Sequence, residues 1–243
     1  MTFSCDAAPE ILPKNIRPSF GGHPEKHLIL LHGWNAGSAS LDSLKLALRA
    51  LPPSQEWNLW SVDYPTHRWN FRRGAREIAQ SLRATNHDFS DTIFLGYSMG
   101  GVVARQIVAD GFPFRALVSV AAPHQGLARW VPTHSPGTAS IHRRSRLLKE
   151  LNQSAADKAA RFRYHFFSIT YSDMVGFHAH DGLVTRSSAL GDSLGEVASR
   201  ENLDFVQRGF ALHEPHMRGM SARDMNAVIH TCARLMQPKS TPE

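Results

Sequence analysis

Two observations predict an α/β protein with a mostly parallel sheet of about six strands and helices on both faces. Short, continuous apolar runs recur along the 243-residue chain, most of them closed by Gly, Pro or Asp. Segments with apolar residues three and four apart lie between them. The runs do not alternate with polar residues, as suits strands buried on both sides. Strand–helix alternation implies right-handed crossover connections and hence a parallel sheet.

The elements follow in order. Leu28-Ile29-Leu30-Leu31, ending in His32-Gly33, is the first strand. Leu41, Leu44, Leu48 and Leu51 have helical spacing, with Ser40 as the N-cap. Leu59-Trp60-Ser61-Val62 is the second strand, closed by Asp63 and Pro65. Ala75, Ile78, Ala79 and Leu82 mark the second helix. Thr92-Ile93-Phe94-Leu95 is the third strand and runs straight into Gly96. Val102, Val103, Ile107 and Val108 lie on the third helix, ended by Gly111 and Pro113. Ala116 to Val120 is a fourth strand, Tyr164 to Ile169 a fifth, and Phe205 to Leu212 a weaker sixth. The last helix carries the stripe Met225, Val228, Ile229, Cys232, Leu235 and Met236, and Ser221 with Asp224 resembles a capping box.

One segment breaks the alternation. Residues 127–163 contain Trp130, Pro132, Pro136 and Gly137, then an amphipathic piece around Leu147 to Leu151. From Arg143 to Arg163 there are seven cations and two anions, a net +5 beside +6 for the whole chain. Insertions in open α/β sheets sit at the carboxyl edge of the strands, where ligands bind. The segment is therefore expected to be a short helical lid with a concentrated, exposed charge. The plainer alternative is a solvated helix pair with a charged outer face.

Composition sets bounds. With 42% hydrophobic and 20% charged residues, the chain is neither disordered, collagen-like nor a disulfide-stapled mini-protein. A single domain over residues 1–243 is expected, since α/β domains often run to this length. No apolar run approaches the ~20 residues of a membrane-spanning helix. Met1 to Lys14 contains Asp6, Glu10 and two prolines, with no apolar core of a secretory signal. Cys5 and Cys232 are far apart and lack metal-ligand spacing. Free thiols and a cytoplasmic location are the expectation. The basic charge invites nucleic acid as a partner, but there is no zinc, helix-turn-helix or RNP signature, and none is expected.

Gly96-Tyr97-Ser98-Met99-Gly100-Gly101 stands between a strand and a helix. In that context a Gly-x-Ser-x-Gly pentapeptide is a nucleophile elbow. The turn leaves no room for side chains at Gly96 or Gly100, and it presents the Ser98 hydroxyl above the sheet. A serine needs a base, and the base an orienting acid. The chain order on such a fold is Ser, acid, His. Asp181, in Asp181-Gly182-Leu183-Val184, is the expected acid, and Asp173 the alternative. His216 lies nearer the last helix than His213, so it is the expected base, with His213 the alternative. His178, His180 and His230 are surplus. The oxyanion needs backbone donors. These are expected from Met99, at a helix N-terminus, and from Trp34, after the bend that Gly33 allows beside His32.

Together, His32-Gly33-Trp34, the Ser98 elbow, Ala122-Pro123-His124-Gln125-Gly126 and Asp181-Gly182-Leu183-Val184 with Ser187-Ser188 and Leu190-Gly191 resemble the α/β-hydrolase superfamily. Within it they resemble the bacterial triacylglycerol lipases and related serine esterases. The resemblance spans roughly Leu28 to Met236. It implies Ser98 as nucleophile, Asp181 as acid, His216 as base, and Met99 and Trp34 as oxyanion donors. It implies hydrolysis of lipid-like acyl esters through an acyl-enzyme, without a cofactor. A thioesterase or a phospholipid acyl hydrolase would use the same triad. An idle hydrolase fold that binds a membrane surface or a partner through the basic segment is the other alternative, and transient contact with an anionic membrane fits that charge. Two departures stand out. Many secreted lipases of the group have a calcium-binding acid two residues after the histidine, where this chain has Arg218, so no such metal site is expected. They often have a disulfide cysteine near the acid, where this chain has Arg186, Ser187 and Ser188. Both departures suit an intracellular relative.

Overall fold

The computed structural model describes residues 23–172, 177–206 and 225–238. Strands β1 (Lys26–Leu31), β2 (Asn58–Val62), β3 (Asp91–Tyr97) and β4 (Ala116–Val120) follow the first four apolar runs. β5 (Tyr164–Ser172) continues past the expected end at Ile169. A two-residue strand, β6 (Phe177–His178), pairs antiparallel with the end of β5. β7 (Ser199–Val206) runs parallel to β5 from His165 to Ser172. Among the described residues the sheet thus has seven strands, β6 being too short to show as an apolar run.

The sixth expected strand is displaced. It begins at Ser199 rather than Phe205, and residues 207–212 lie outside the described ones. The reason is chemical. β7 is held to β5 partly by polar side chains: Asn202 Nδ2 donates to Thr170 Oγ1 at 2.7 Å, and Ser168 Oγ donates to Asn202 Oδ1 at 2.5 Å. A strand paired in this way needs no apolar run.

Among the described residues the helices are α1 (Asp42–Arg49), α2 (Phe71–Ala84), α3 (Met99–Ala109), α4 (Pro136–Ser140), α5 (Arg146–Gln153), α6 (Ala155–Ala160), α7 (Arg186–Leu190) and α8 (Asn226–Met236). Asn70 caps α2, its Oδ1 accepting the Arg73 N–H at 2.8 Å. Ser40 does not cap α1. It lies in a 3₁₀ turn, Ser38–Leu41, and its hydroxyl donates to Gly37 O at 2.7 Å. Ser221 and Asp224 lie outside the described residues. No described helix is long and apolar enough to cross a membrane.

Strand residues alternate between two cores. Ile29, Leu31 and Phe94 pack with Ala75, Ile78, Val102 and Val103 of α2 and α3. Leu28, Leu30, Ile93 and Leu95 pack with Leu44 and Leu48 of α1 and Val228, Ile229 and Cys232 of α8. The spatial order is β2-β1-β3-β4-β5. From β1 the chain crosses to β2 on one side, then returns to β3 on the other. The order therefore reverses beside β1, and the crevice at the carboxyl ends of β1 and β3 is the topological switch point where open α/β sheets bind ligands.

Candidate active site

Ser98 occupies that crevice. β3 ends at Tyr97 and α3 begins at Met99, so Ser98 alone makes the turn. Its φ is +52° and ψ −123°, a strained backbone for a residue with a side chain. Its N–H donates to Val120 O at 2.8 Å, which ties it to the end of β4. The flanking glycines are sterically required: a Cβ on Gly96 would come within 2.5 Å of Gly101 Cα, and one on Gly100 within 2.2 Å of Leu31 O. Met99 is the first residue of α3, where N–H groups have no partner within the helix.

The loop after β1 lies against this turn. A Cβ on Gly33 would sit 3.0 Å from Ser98 Cβ and 3.6 Å from its Oγ. His32 is buried and sets the orientation of the next peptide. The Tyr64 N–H donates to His32 Nε2 at 3.3 Å, which leaves Nδ1 to donate to Gly33 O at 2.8 Å. Burial pushes the His32 pKa down, in keeping with this neutral form. With Gly33 O held on one side, the planar trans peptide turns the Trp34 N–H to the other.

Asp181 is buried in a tight turn at the carboxyl edge. Its Oδ1 accepts the N–H groups of Leu183 at 2.9 Å and Val184 at 2.7 Å. Burial and then the Asp181 charge push the Tyr97 phenol well above its usual pKa. The structure thus gathers Ser98, Met99, Gly33 and Trp34, and it buries Asp181 in a separate turn. Asp173, His213, His216 and Arg218 lie outside the described residues. His178 and His180 precede Asp181 in the chain, stacked on Tyr171 and set against Trp130 respectively. His230 is exposed on α8. Among the described residues no three His, Cys, Asp or Glu side chains converge as a metal site requires.

The segment between β4 and β5 is hydrogen-bonded to the Asp181 turn, to Trp34 and to the start of α2. The Ala128 N–H donates to Leu183 O at 2.9 Å, and Trp130 Nε1 to Gly182 O at 3.0 Å. Trp34 Nε1 donates to Ser135 Oγ at 3.3 Å, and the Phe71 N–H to Ser140 Oγ at 3.2 Å.

The expectation that the charge of this segment is wholly exposed needs correction. Asp157 and Arg161 are buried, and Asp157 joins Arg161 to Arg105 of α3, which is 0% exposed. Arg105 donates to Asp157 through Nε at 3.0 Å and Nη2 at 2.7 Å. Arg161 donates to Asp157 Oδ2 through Nε at 2.9 Å and Nη2 at 2.7 Å. Arg163 lies over the Phe114 ring and donates to Phe114 O at 2.6 Å. Arg144, Arg146, Lys149 and Lys158 remain exposed. A pair of guanidiniums on one carboxylate is favoured in a dry interior only because all three groups are hydrogen-bonded. Sequence reasoning missed this cluster. The available signal was Arg105 standing among Val102, Val103, Ile107 and Val108.

Comparison with known proteins agrees with this geometry. The sequence pattern of the alpha/beta hydrolase family matches residues 28–233. No curated protein matches the chain. Among solved structures, the mature Bacillus licheniformis lipase BlEst2 superposes with a TM-score of 0.61 at 14% identity, over 89% of this chain and 96% of the lipase. A Listeria innocua protein gives 0.57 at 14% identity, over 90% and 96%. The phospholipase PlaB of Legionella pneumophila gives 0.63 at 14% identity, over 88% of this chain but 59% of PlaB. At such identities these likenesses concern the fold. The match along residues 28–233, with the strand–Ser98–helix turn at its centre, shows that the chain belongs to the alpha/beta hydrolase family.

Proposed function

We propose that this protein hydrolyses carboxylic esters with a lipid-like acyl group. Ser98 is the nucleophile, Asp181 the orienting acid, His216 the base, and the N–H groups of Met99 and Trp34 the oxyanion donors. The observation that carries the reading is the strained Ser98, alone between β3 and α3 at the switch point and packed against Gly33.

In this mechanism Ser98 Oγ attacks the ester carbonyl while His216 takes the hydroxyl proton. The carbonyl oxygen becomes an oxyanion between two backbone N–H groups. When the C–O bond breaks, His216 returns the proton to the departing alcohol and leaves an acyl-Ser98. Water, deprotonated by the same histidine, then attacks the acyl carbon. The carboxylic acid leaves and Ser98 regains its proton. Thioesters and phospholipid acyl esters would follow the same steps. The similarity in fold to a lipase and a phospholipase supports the lipid-like acyl group.

In the same reading residues 127–163 act as a lid over the acyl site within one domain, the protein works in the cytoplasm, and the exposed Arg144, Arg146 and Lys149 make transient contact with anionic membrane surfaces.

The test is a panel of p-nitrophenyl esters and acyl-CoA thioesters of graded chain length. Ser98→Ala is expected to abolish turnover with the fold intact, and His216→Ala to cost far more than His213→Ala. Near wild-type turnover by Ser98→Ala refutes the reading. A reversed order of the two histidines moves the base to His213.

A further inference from the structure

A strained turn persists only where its surroundings over-determine it. Gly101 and Arg105 lie about one turn apart on one face of α3. Opposite Gly101 stands Ser119 of β4: a Cβ on Gly101 would come within 2.1 Å of Ser119 Oγ. Ser119 is also the strand partner of Gly96, on the other side of the elbow. Opposite Arg105 stands His124, in the loop after β4.

The His124 ring touches both. Arg105 Nη1 lies 3.3 Å from His124 Nδ1, and Ser119 Oγ lies 3.0 Å from His124 Nε2. A guanidinium can only donate, so Nδ1 accepts and Nε2 carries the proton that is donated to Ser119. Burial, Arg105 and Arg161 all hold the ring neutral. The ring stacks on Phe166 with centroids 4.1 Å apart, and Asn152 Nδ2 donates to His124 O at 2.9 Å.

We propose that His124 is a positioning residue for Ser98: its imidazole clamps the first turns of α3 onto β4, through Arg105 on one side and Ser119 on the other, and so prevents the strained elbow from relaxing. The proposal rests on the reading of Ser98 as nucleophile. His124 itself touches no reacting atom.

Three variants test it. His124→Leu removes both hydrogen bonds. His124→Gln can keep an acceptor toward Arg105 and a donor toward Ser119. Ser119→Ala removes only the hydroxyl. Each is assayed well below its melting midpoint, for kcat and KM on a short soluble p-nitrophenyl ester and for the rate at which a small phosphonate labels Ser98. His124→Leu is expected to lower kcat and the labelling rate by about tenfold or more with KM nearly unchanged, because small misplacements of a nucleophile are costly. His124→Gln should recover most of that loss, and Ser119→Ala should lose about threefold or more by the same principle. Where His124→Leu does not fold, Ser119→Ala decides. Folded variants with wild-type kcat and labelling rate, whatever their melting midpoints, overturn the proposal alone. A wild-type Ser98 that takes no phosphonate, or a Ser98→Ala variant that still turns over, overturns the nucleophile reading and this one with it.

Discussion

Replacing Asp157 by Asn tests the buried cluster beneath α3. Asp157 is 0% exposed, as is Arg105, and the Arg161 side chain is 8% exposed. The carboxylate accepts four guanidinium N–H bonds and, at 3.2 Å, the Tyr164 hydroxyl. An amide keeps the size but removes the charge, and it turns an N–H₂ donor toward guanidinium donors. Two buried cations then share no counter-charge. Breaking a buried pair in this way costs about 3–5 kcal/mol. In a domain of this size each kcal/mol moves the melting midpoint by about 2–4 °C, so a fall of about 6–20 °C is expected. Thermal unfolding followed by circular dichroism, with urea unfolding at 25 °C as a second measure, reads the effect. A midpoint lowered by less than about 2 °C refutes the reasoning, because it would mean that water reaches the guanidiniums in solution.

Two further outcomes follow. His165 has its pKa pushed down from 6.5 to about 4, first by burial and then by Arg234. A folded pKa below the unfolded one gives stability that is complete above about pH 6.5 and lost as pH falls toward about 4; His32 and His124 act in the same direction. His165→Gln should therefore lose less urea resistance than wild type between pH 7.5 and 5, and equal losses would exclude His165 as a contributor. Replacing Arg144, Arg146 and Lys149 by Gln should reduce hydrolysis on anionic vesicles and spare a small soluble ester. The wild-type advantage should fade with salt, as the Debye length drops from ~10 Å at 0.1 M to ~3 Å at 1 M. Equal loss on both substrates would assign these residues to the fold.

Some of this was legible in the residues and some was not, for physical reasons. β1, β3 and β4 announced themselves because a strand buried on both faces carries mostly apolar side chains. Ser98 was legible because the turn excludes side chains at Gly96 and Gly100, which leaves a local pattern. The tight turn at Asp181 was legible through Gly182 beside it. β7 was not, because Asn202 pairs with Ser168 and Thr170 through side chains that read as loop. The Asp157 cluster was hidden for another reason. A charge is ordinarily solvated, and nothing local to Arg161 says that its shared carboxylate also faces Arg105, 52 residues from Asp157. Burial of charge is a property of the pair, and pairs distant in sequence leave no pattern.

The second core has a consequence for synthesis. Leu28, Leu30, Ile93, Leu95, Val118 and Val120 form one apolar face of the sheet, and among the described residues the helices that cover it are α1 and α8. α8 is docked by its end, where Trp57 Nε1 donates to Met236 O at 3.1 Å. During translation the first four strands are complete once Val120 has left the ribosome, but half of their cover is still unmade. At about 5–20 residues per second, Met236 follows on the order of 6–23 s later. Through that interval a band of leucine, isoleucine and valine faces water or whatever chaperone is at hand. A nascent chain stalled before Met225 would keep the part of that face under α8 exposed, which makes docking of α8 the step that ends the hazard of aggregation through it.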